Sequence, residues 1–129
     1  IIDDYAHHPT EIAATLKTAA NYPHKTTWCV FQPHTYTRTK ALMDEFADVL
    51  ATAERVILAV IYAARETDNL GVSSSDLCDK INERGGKAYY FPTFDEIEAF
   101  LLENCINGDV LITMGAGDVY KIGESILGQ

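Results

Sequence analysis

Ile2-Asp3-Asp4-Tyr5-Ala6-His7-His8-Pro9-Thr10-Glu11 holds the pattern that decides the fold. Aliphatic residues lead into two carboxylates, a tyrosine and two histidines, and Pro9 then opens a run with Ile12, Leu16 and Ala20 at helical spacing. The stretch reads as a strand, a polar turn and a helix start, since proline at the first helical position lacks only an N–H that would be unpaired anyway. A strand feeding a helix through a short polar turn is the unit of a parallel α/β sheet. In such sheets this turn lies at the carboxyl end of the strand, where backbone N–H groups and the helix dipole face a ligand.

Outward from this stretch the same alternation repeats. Asn21-Tyr22-Pro23 ends the first helix, and Thr26 to Phe31 has the Thr, Trp and Val content of a buried strand. The turn Gln32-Pro33-His34-Thr35-Tyr36-Thr37-Arg38 follows. Leu42, Phe46, Val49 and Leu50 then give the i, i+4, i+7, i+8 stripe of a helix predicted over Thr39 to Ala51. Arg55 to Tyr62 is the most hydrophobic strand. A polar connection from Ala63 to Ser74 leads to a helix with Leu77 and Ile81, stopped by Gly85-Gly86. Lys87 to Phe91 is a strand, Ile97, Phe100 and Leu101 mark another helix, and Asp109 to Met114 is a strand. Gly115-Ala116-Gly117-Asp118 turns into a last helix with Ile122 and Ile126. The whole predicts an α/β, three-layer, Rossmann-like domain: a mostly parallel sheet of about six strands, right-handed crossovers and helices on both faces.

Composition narrows the class. At 129 residues the chain is one domain, 1–129, able to bury roughly two-thirds of its unfolded surface. A net charge of −9 argues against a nucleic-acid or anionic-membrane partner, so any anionic ligand must be held by a few local cations. There is no apolar run of about 20 residues and no signal segment, which fits a cytoplasmic protein. Cys29, Cys78 and Cys105 are widely spaced and form no CxxC pair; they are expected to be small buried thiols. The absence of an initiator Met, inside what reads as a strand, suggests a fragment of something longer.

The two ends of the strands differ in chemistry. Connections entering strands hold ordinary turn residues, whereas those leaving them hold Asp4, His7, His8, His34, Arg38, Glu66 and the Gly115–Asp118 turn. Asp4 can accept two hydrogen bonds from a ribose diol or bind magnesium, or it can simply cap a turn; Asp3 is the weaker candidate. His7 and His8 can bind an anion or move a proton, but neighbours in a turn diverge, so one of the two is expected to act while the other caps the helix. Arg38 can fork onto a carboxylate or phosphate with His34 as a second donor, or pair with Asp4 or Asp44. Gly115-Ala116-Gly117 allows close backbone approach but is too short for GxGxxG, and no GxxxxGK[ST] phosphate loop is present.

Three blocks, Asp3 to Glu11, Phe31 to Thr39 and Gly115 to Asp118, resemble in motif and order the C-terminal domain of the Mur ligases of peptidoglycan synthesis. The likeness is to the branch that adds L-alanine, and Ile61 to Glu66 followed by Gly71 to Ser74 adds to it. One departure is Thr35, where many members carry arginine. The branch that attaches a recycled murein tripeptide shares the first block and is the alternative.

The resemblance implies an ATP-dependent ligase of three domains, with the N-terminal UDP-binding and central ATPase domains outside this chain. UDP-N-acetylmuramate would be activated by ATP as an acyl phosphate and attacked by L-alanine, with Mg2+ and the phosphates held mainly by the central domain. It further implies that Asp4 holds the ATP ribose. Tyr5, one of His7 and His8, His34 and Arg38 would position the amino acid and face the reacting end, and Gly115, Ala116, Gly117 and Asp118 would line the same pocket. Alone, the chain is expected to be inactive.

Two readings of other classes stand beside it. A signalling receiver domain also opens with acids after its first strand, but it needs an aspartate where Tyr62 stands and a lysine at the glycine turn. A metal-binding domain would use Asp4, His7, His8 and His34.

Overall fold

The structure, a computed structural model, describes residues 2–21 and 25–128. In chain order the elements are β1 (Ile2–Asp4), α1 (Pro9–Ala20), β2 (Thr27–Phe31), α2 (Tyr36–Ala41), α3 (Met43–Leu50), β3 (Arg55–Leu58), α4 (Ser74–Glu83), β4 (Ala88–Tyr90), α5 (Phe94–Asn104), β5 (Val110–Met114) and α6 (Tyr120–Leu127). Successive residues of a strand face opposite sides of its sheet, so a strand buried on both sides must be apolar throughout. β2 shows this: Cys29 and Phe31 join a core with α1, α3 and α4, while Trp28 and Val30 join a second core with α5 and α6. Ile12, Phe46, Leu50, Leu77 and Ile81 fill the first core, and Ile97, Leu101 and Ile122 the second. Each such fully buried side chain contributes roughly 1.5–3 kcal/mol relative to exposure.

The described residues form a parallel sheet of five strands, in the order β1-β5-β2-β3-β4. The sheet is therefore one strand short of the expected six: Met114 is followed by the glycine turn and α6, and no further strand-length apolar run remains. β3 also stops short of Tyr62. The Ala59 carbonyl accepts from the Ser74 hydroxyl at 2.6 Å and the Val60 carbonyl from Gln32 Nε2 at 3.3 Å, so these groups leave the ladder. Tyr62 returns as an isolated parallel bridge to His34.

The predicted 39–51 helix is two helices. α2 starts earlier, at Tyr36, and the chain breaks at Leu42 (φ −114°, ψ 19°) before α3. α1 is capped at Asn21, and the Tyr22-Pro23 part of its expected stop lies outside the described residues.

The strand order fixes where a ligand can sit. After β1 and β2 the chain turns to the α1–α3 side, whereas after β5, which lies between them, it turns to the α6 side. Loops diverging on either side of β5 open a crevice at the carboxyl ends of these strands, the usual ligand position in open α/β sheets.

Candidate substrate-binding site

Asp4 ends β1 with both carboxylate oxygens engaged. Oδ1 accepts from the Ala6 N–H at 2.9 Å and Oδ2 from the Thr15 hydroxyl at 2.7 Å. Each oxygen retains a second lone pair, and the side chain is half-buried beside a groove lined by Ile2, Ala14, Thr15, Thr18 and Ala19. Asp3 faces the other way, where its carboxylate accepts from Thr113 Oγ1 at 2.9 Å, a structural role.

The two histidines diverge. His8 caps α1: its Nδ1 accepts from the Thr10 N–H at 3.2 Å, and Glu11 returns the bond to the His8 N–H at 3.1 Å. His7 turns to the rim, edge-on to Tyr5 at 5.6 Å and to His34 at 6.0 Å between ring centroids. Tyr5 is 69% exposed and free to meet a ligand.

The turn after β2 supplies the cation. Arg38 Nη1 lies 3.0 Å from His34 Nδ1. A guanidinium has no acceptor, so His34 Nδ1 must be the lone-pair side and Nε2 carries the proton, outward as a donor. Tyr62 stacks on His34 at 5.7 Å and 17°. No carboxylate pairs with Arg38 among the described residues; Asp44 pairs instead with Lys80 and Arg84 at 3.1 and 3.2 Å.

Between His34 and Arg38, Thr35 has φ 64° and ψ 146°, a conformation that a β-branched residue adopts only under constraint. Its N–H donates to the Tyr62 carbonyl at 2.8 Å, and its hydroxyl accepts the Arg38 N–H at 3.2 Å. The Glu66 carboxylate accepts from the Tyr36 and Thr37 N–H groups and from the Thr37 hydroxyl. These bonds, the hydroxyl's first, hold the Glu66 carboxyl below its ordinary range.

Burial and then the adjacent Arg38 and His7 depress the His34 pKa, against a smaller opposing effect of Glu66. His34 is therefore neutral at pH 7 and should titrate below its ordinary 6.5 in an NMR pH series. The unfolded chain then binds the proton more readily, so this group favours the fold above pH 6.5 and the favour is lost as pH falls from there through its lower value in the fold. Arg38→Gln should move the midpoint upward, though not fully to 6.5, since burial is the larger cause. An unchanged or lower midpoint in the variant would contradict the Arg38 contact.

The glycine turn closes the ring of loops. Gly115 donates its N–H to the Asp4 carbonyl at 3.1 Å, tying the β5 exit to that of β1. A Cβ on Gly117 would lie 2.7 Å from Gln32 Oε1 and 2.8 Å from the Tyr62 ring, so the space opened by this glycine is used by the chain's own side chains. Gln32 is buried at 3% exposure; its Nε2 donates to the Val60 carbonyl, and its Oε1 has no partner among the described residues. Ala116 and Asp118 stay half-buried at the rim.

Asp4, His7, His34, Arg38 and the 115–118 turn thus belong to one continuous edge, as their positions in the chain suggested. His8 is set apart by its capping role. Glu66 reaches the same rim, as its position after β3 suggested, but its bonds to Tyr36 and Thr37 went unread, as did Tyr62 and Gln32, although a tyrosine and a glutamine ending apolar strands were visible signals. Among the described residues no group of three or more His, Cys, Asp or Glu side chains is arranged to hold a metal.

The family model described as Mur ligase, glutamate ligase domain matches residues 1–117. The chain belongs to this family. A protein of Lachnospira eligens named UDP-N-acetylmuramate--L-alanine ligase is 65% identical over 127 residues, covering 98% of this chain and 28% of that protein. Its namesake from Agathobacter rectalis is 62% identical with the same coverage. This Mur ligase domain thus spans little more than a quarter of the length of the curated relatives it matches.

Among solved structures, the UDP-N-acetylmuramate-alanine ligase of Thermotoga maritima shares the fold with a TM-score of 0.76 at 24% identity, over 96% of this chain and 25% of that one. A murein peptide ligase of Psychrobacter arcticus gives 0.72 at 20% identity, over 96% and 26%. No helix among the described residues of the Mur ligase domain is long and apolar enough to cross a membrane.

Proposed function

We propose that this chain is the amino-acid-binding, C-terminal domain of a three-domain ligase that joins L-alanine to UDP-N-acetylmuramate at the expense of ATP, in the cytoplasm, for cell-wall synthesis. The observation that carries the reading is the Arg38–His34 pair at the strand exits, with His7 edge-on to His34 and Tyr5 edge-on to His7, in a chain of net charge −9. In an otherwise acidic domain this is where an amino-acid carboxylate finds a fork of N–H donors and a second donor at His34 Nε2. The choice of L-alanine rests on the 65% and 62% identical relatives that bear that name.

In this reading the UDP-N-acetylmuramate carboxylate attacks the γ-phosphorus of ATP and ADP leaves, giving an acyl phosphate. The alanine amine then attacks the acyl carbon and phosphate leaves. This chain's part is positioning: Arg38 and His34 hold the carboxylate so that the amine faces the acyl carbon, a contribution that can reach several kcal/mol. Tyr5, His7, Gly115, Ala116, Gly117 and Asp118 bound the pocket, and closure against the other domains excludes water that would hydrolyse the acyl phosphate. Selection of a methyl side chain by pocket size discriminates weakly, by about 1–3 kcal/mol per methylene, so glycine and serine should be poor but measurable substrates.

Asp4 fits the ATP ribose, because both its oxygens are fixed by Ala6 and Thr15 and each keeps a free lone pair. Mg2+, which would supply charge neutralisation at the phosphates, belongs with the central domain. Asp4→Ala in the full-length enzyme should raise the KM for ATP about tenfold, the loss of a charge-assisted hydrogen-bond pair, with the L-alanine KM moving less than threefold. Thr15→Val, which removes the buttress but not the carboxylate, should lower stability by about 1 kcal/mol with a smaller kinetic effect. An ATP dependence indifferent to Asp4 would rule out this role.

A further inference from the structure

We propose that Glu66 is a positioning residue for the Arg38–His34 pair: its carboxylate, delivered by the loop between β3 and α4, sets the first turn of α2 and with it the distance between the two donors. α2 has six residues, too few to be stable by itself, and its first N–H groups need acceptors from outside the helix. Thr35 satisfies only the Arg38 N–H. The Tyr36 and Thr37 N–H groups and the Thr37 hydroxyl go to Glu66, thirty and twenty-nine residues further along the chain.

His34 lies just before this turn and Arg38 within it, so the turn fixes their register. The loop is shaped to bring Glu66 back. Ala64 and Leu70, neither of them glycine, have φ 56° and 54°, and Lys40 Nζ binds the Leu70 carbonyl at 3.3 Å. At its near end the Tyr62 N–H donates to the Pro33 carbonyl, and the Thr35 N–H to the Tyr62 carbonyl, both at 2.8 Å. The 33–40 and 62–70 segments are therefore one clamped unit. Without Glu66 the first turn of α2 loses its acceptors, Thr35 is released toward ordinary φ, and His34 swings away from Arg38.

The bonds require an acceptor in place, not a charge. In Glu66→Gln the amide oxygen can serve the Tyr36 and Thr37 N–H groups, while the amide nitrogen donates to the Thr37 hydroxyl oxygen. This inference rests on the ligase reading for its kinetic readout and on geometry for its structural one. In the full-length enzyme, Glu66→Ala should raise the KM for L-alanine tenfold or more while the ATP KM and kcat stay within threefold, and Glu66→Gln should stay within threefold of the parent on all counts. A crystal structure of Glu66→Ala should show Arg38 Nη1 and His34 Nδ1 no longer in contact.

A shift below twofold in alanine KM, an equal rise in both KM values, or a Gln variant as impaired as the Ala variant would overturn the proposal. So would a preserved Arg38–His34 contact in the variant crystal. If the unaltered enzyme shows no L-alanine-dependent phosphate release, the ligase reading fails instead, and the crystal alone decides the role of Glu66.

Discussion

Arg38→Ala in the full-length enzyme should raise the KM for L-alanine by about 30- to 100-fold, the loss of a forked, charge-assisted bond worth about 2–3 kcal/mol. The KM for ATP should move by less than threefold. Among the described residues the Arg38 guanidinium meets no carboxylate of its own chain, and the group its Nη1 touches, His34 Nδ1, can only accept. Its remaining N–H groups are therefore unspent and available to a ligand. Arg38→Lys keeps the charge but not the planar fork, and should recover only part of the loss. Steady-state kinetics with L-alanine and ATP varied separately checks this. Parallel rises in both constants would mean that Arg38 supports the domain in general, and the carboxylate assignment would be abandoned.

Gly115→Ala should be strongly destabilising, for one methyl group. The glycine has φ 151°, and an added Cβ would stand 2.9 Å from the Gln32 carbonyl oxygen and 3.2 Å from a Val119 methyl. A backbone atom in β2's exit cannot move aside without disturbing the Gly115–Asp4 hydrogen bond on the other side. Backbone strain and overpacking each cost about 1–3 kcal/mol, so a loss of about 2–5 kcal/mol is expected. That is a large share of the ~5–15 kcal/mol that holds a domain together.

Gly128→Ala is the matched control. Its nearest contacts would be ordinary, 3.5 and 3.7 Å, its φ is −80°, and its effect should be near zero. Urea midpoints of the two variants, at unchanged slope, give the comparison. Equal midpoints would refute the account of the turn.

Much of this was legible in the residues. Strand-length apolar runs alternating with 3.6-residue stripes fixed the layer order, and the concentration of His, Arg and Gly at strand exits fixed the rim, because both follow from periodicity and local turn chemistry. What escaped needed contacts distant in sequence. The start of α2 at Tyr36 depends on Glu66, and no helix signal precedes Tyr36 except Thr35. The early end of β3 depends on Ser74 and Gln32 taking the carbonyls of Ala59 and Val60. One miss was local: the division of labour between His7 and His8 rests on neighbouring Glu11 and Thr10, a capping box with histidine in the place usually held by serine or threonine. Among the blocks resembling the Mur ligases, Gly115–Asp118 follows the strand that lies between the other two and bonds to Asp4, while the Asp3–Glu11 and Phe31–Thr39 stretches meet through the His7 and His34 rings.

The position of β5 has a consequence for how the molecule is made. Ile2 pairs with Ile112 and Asp4 with Met114, while β2 also waits for Val110 to Met114. At roughly 5–20 residues per second on the ribosome, β1 emerges several seconds before β5, the strand it pairs with. Through that interval its aliphatic and acidic residues have no sheet, and the β2–β3–β4 half, built from neighbours in sequence, is free to condense first. The β1 side of the ligand edge, with Asp4, thus takes its place only after Val110–Met114 has emerged.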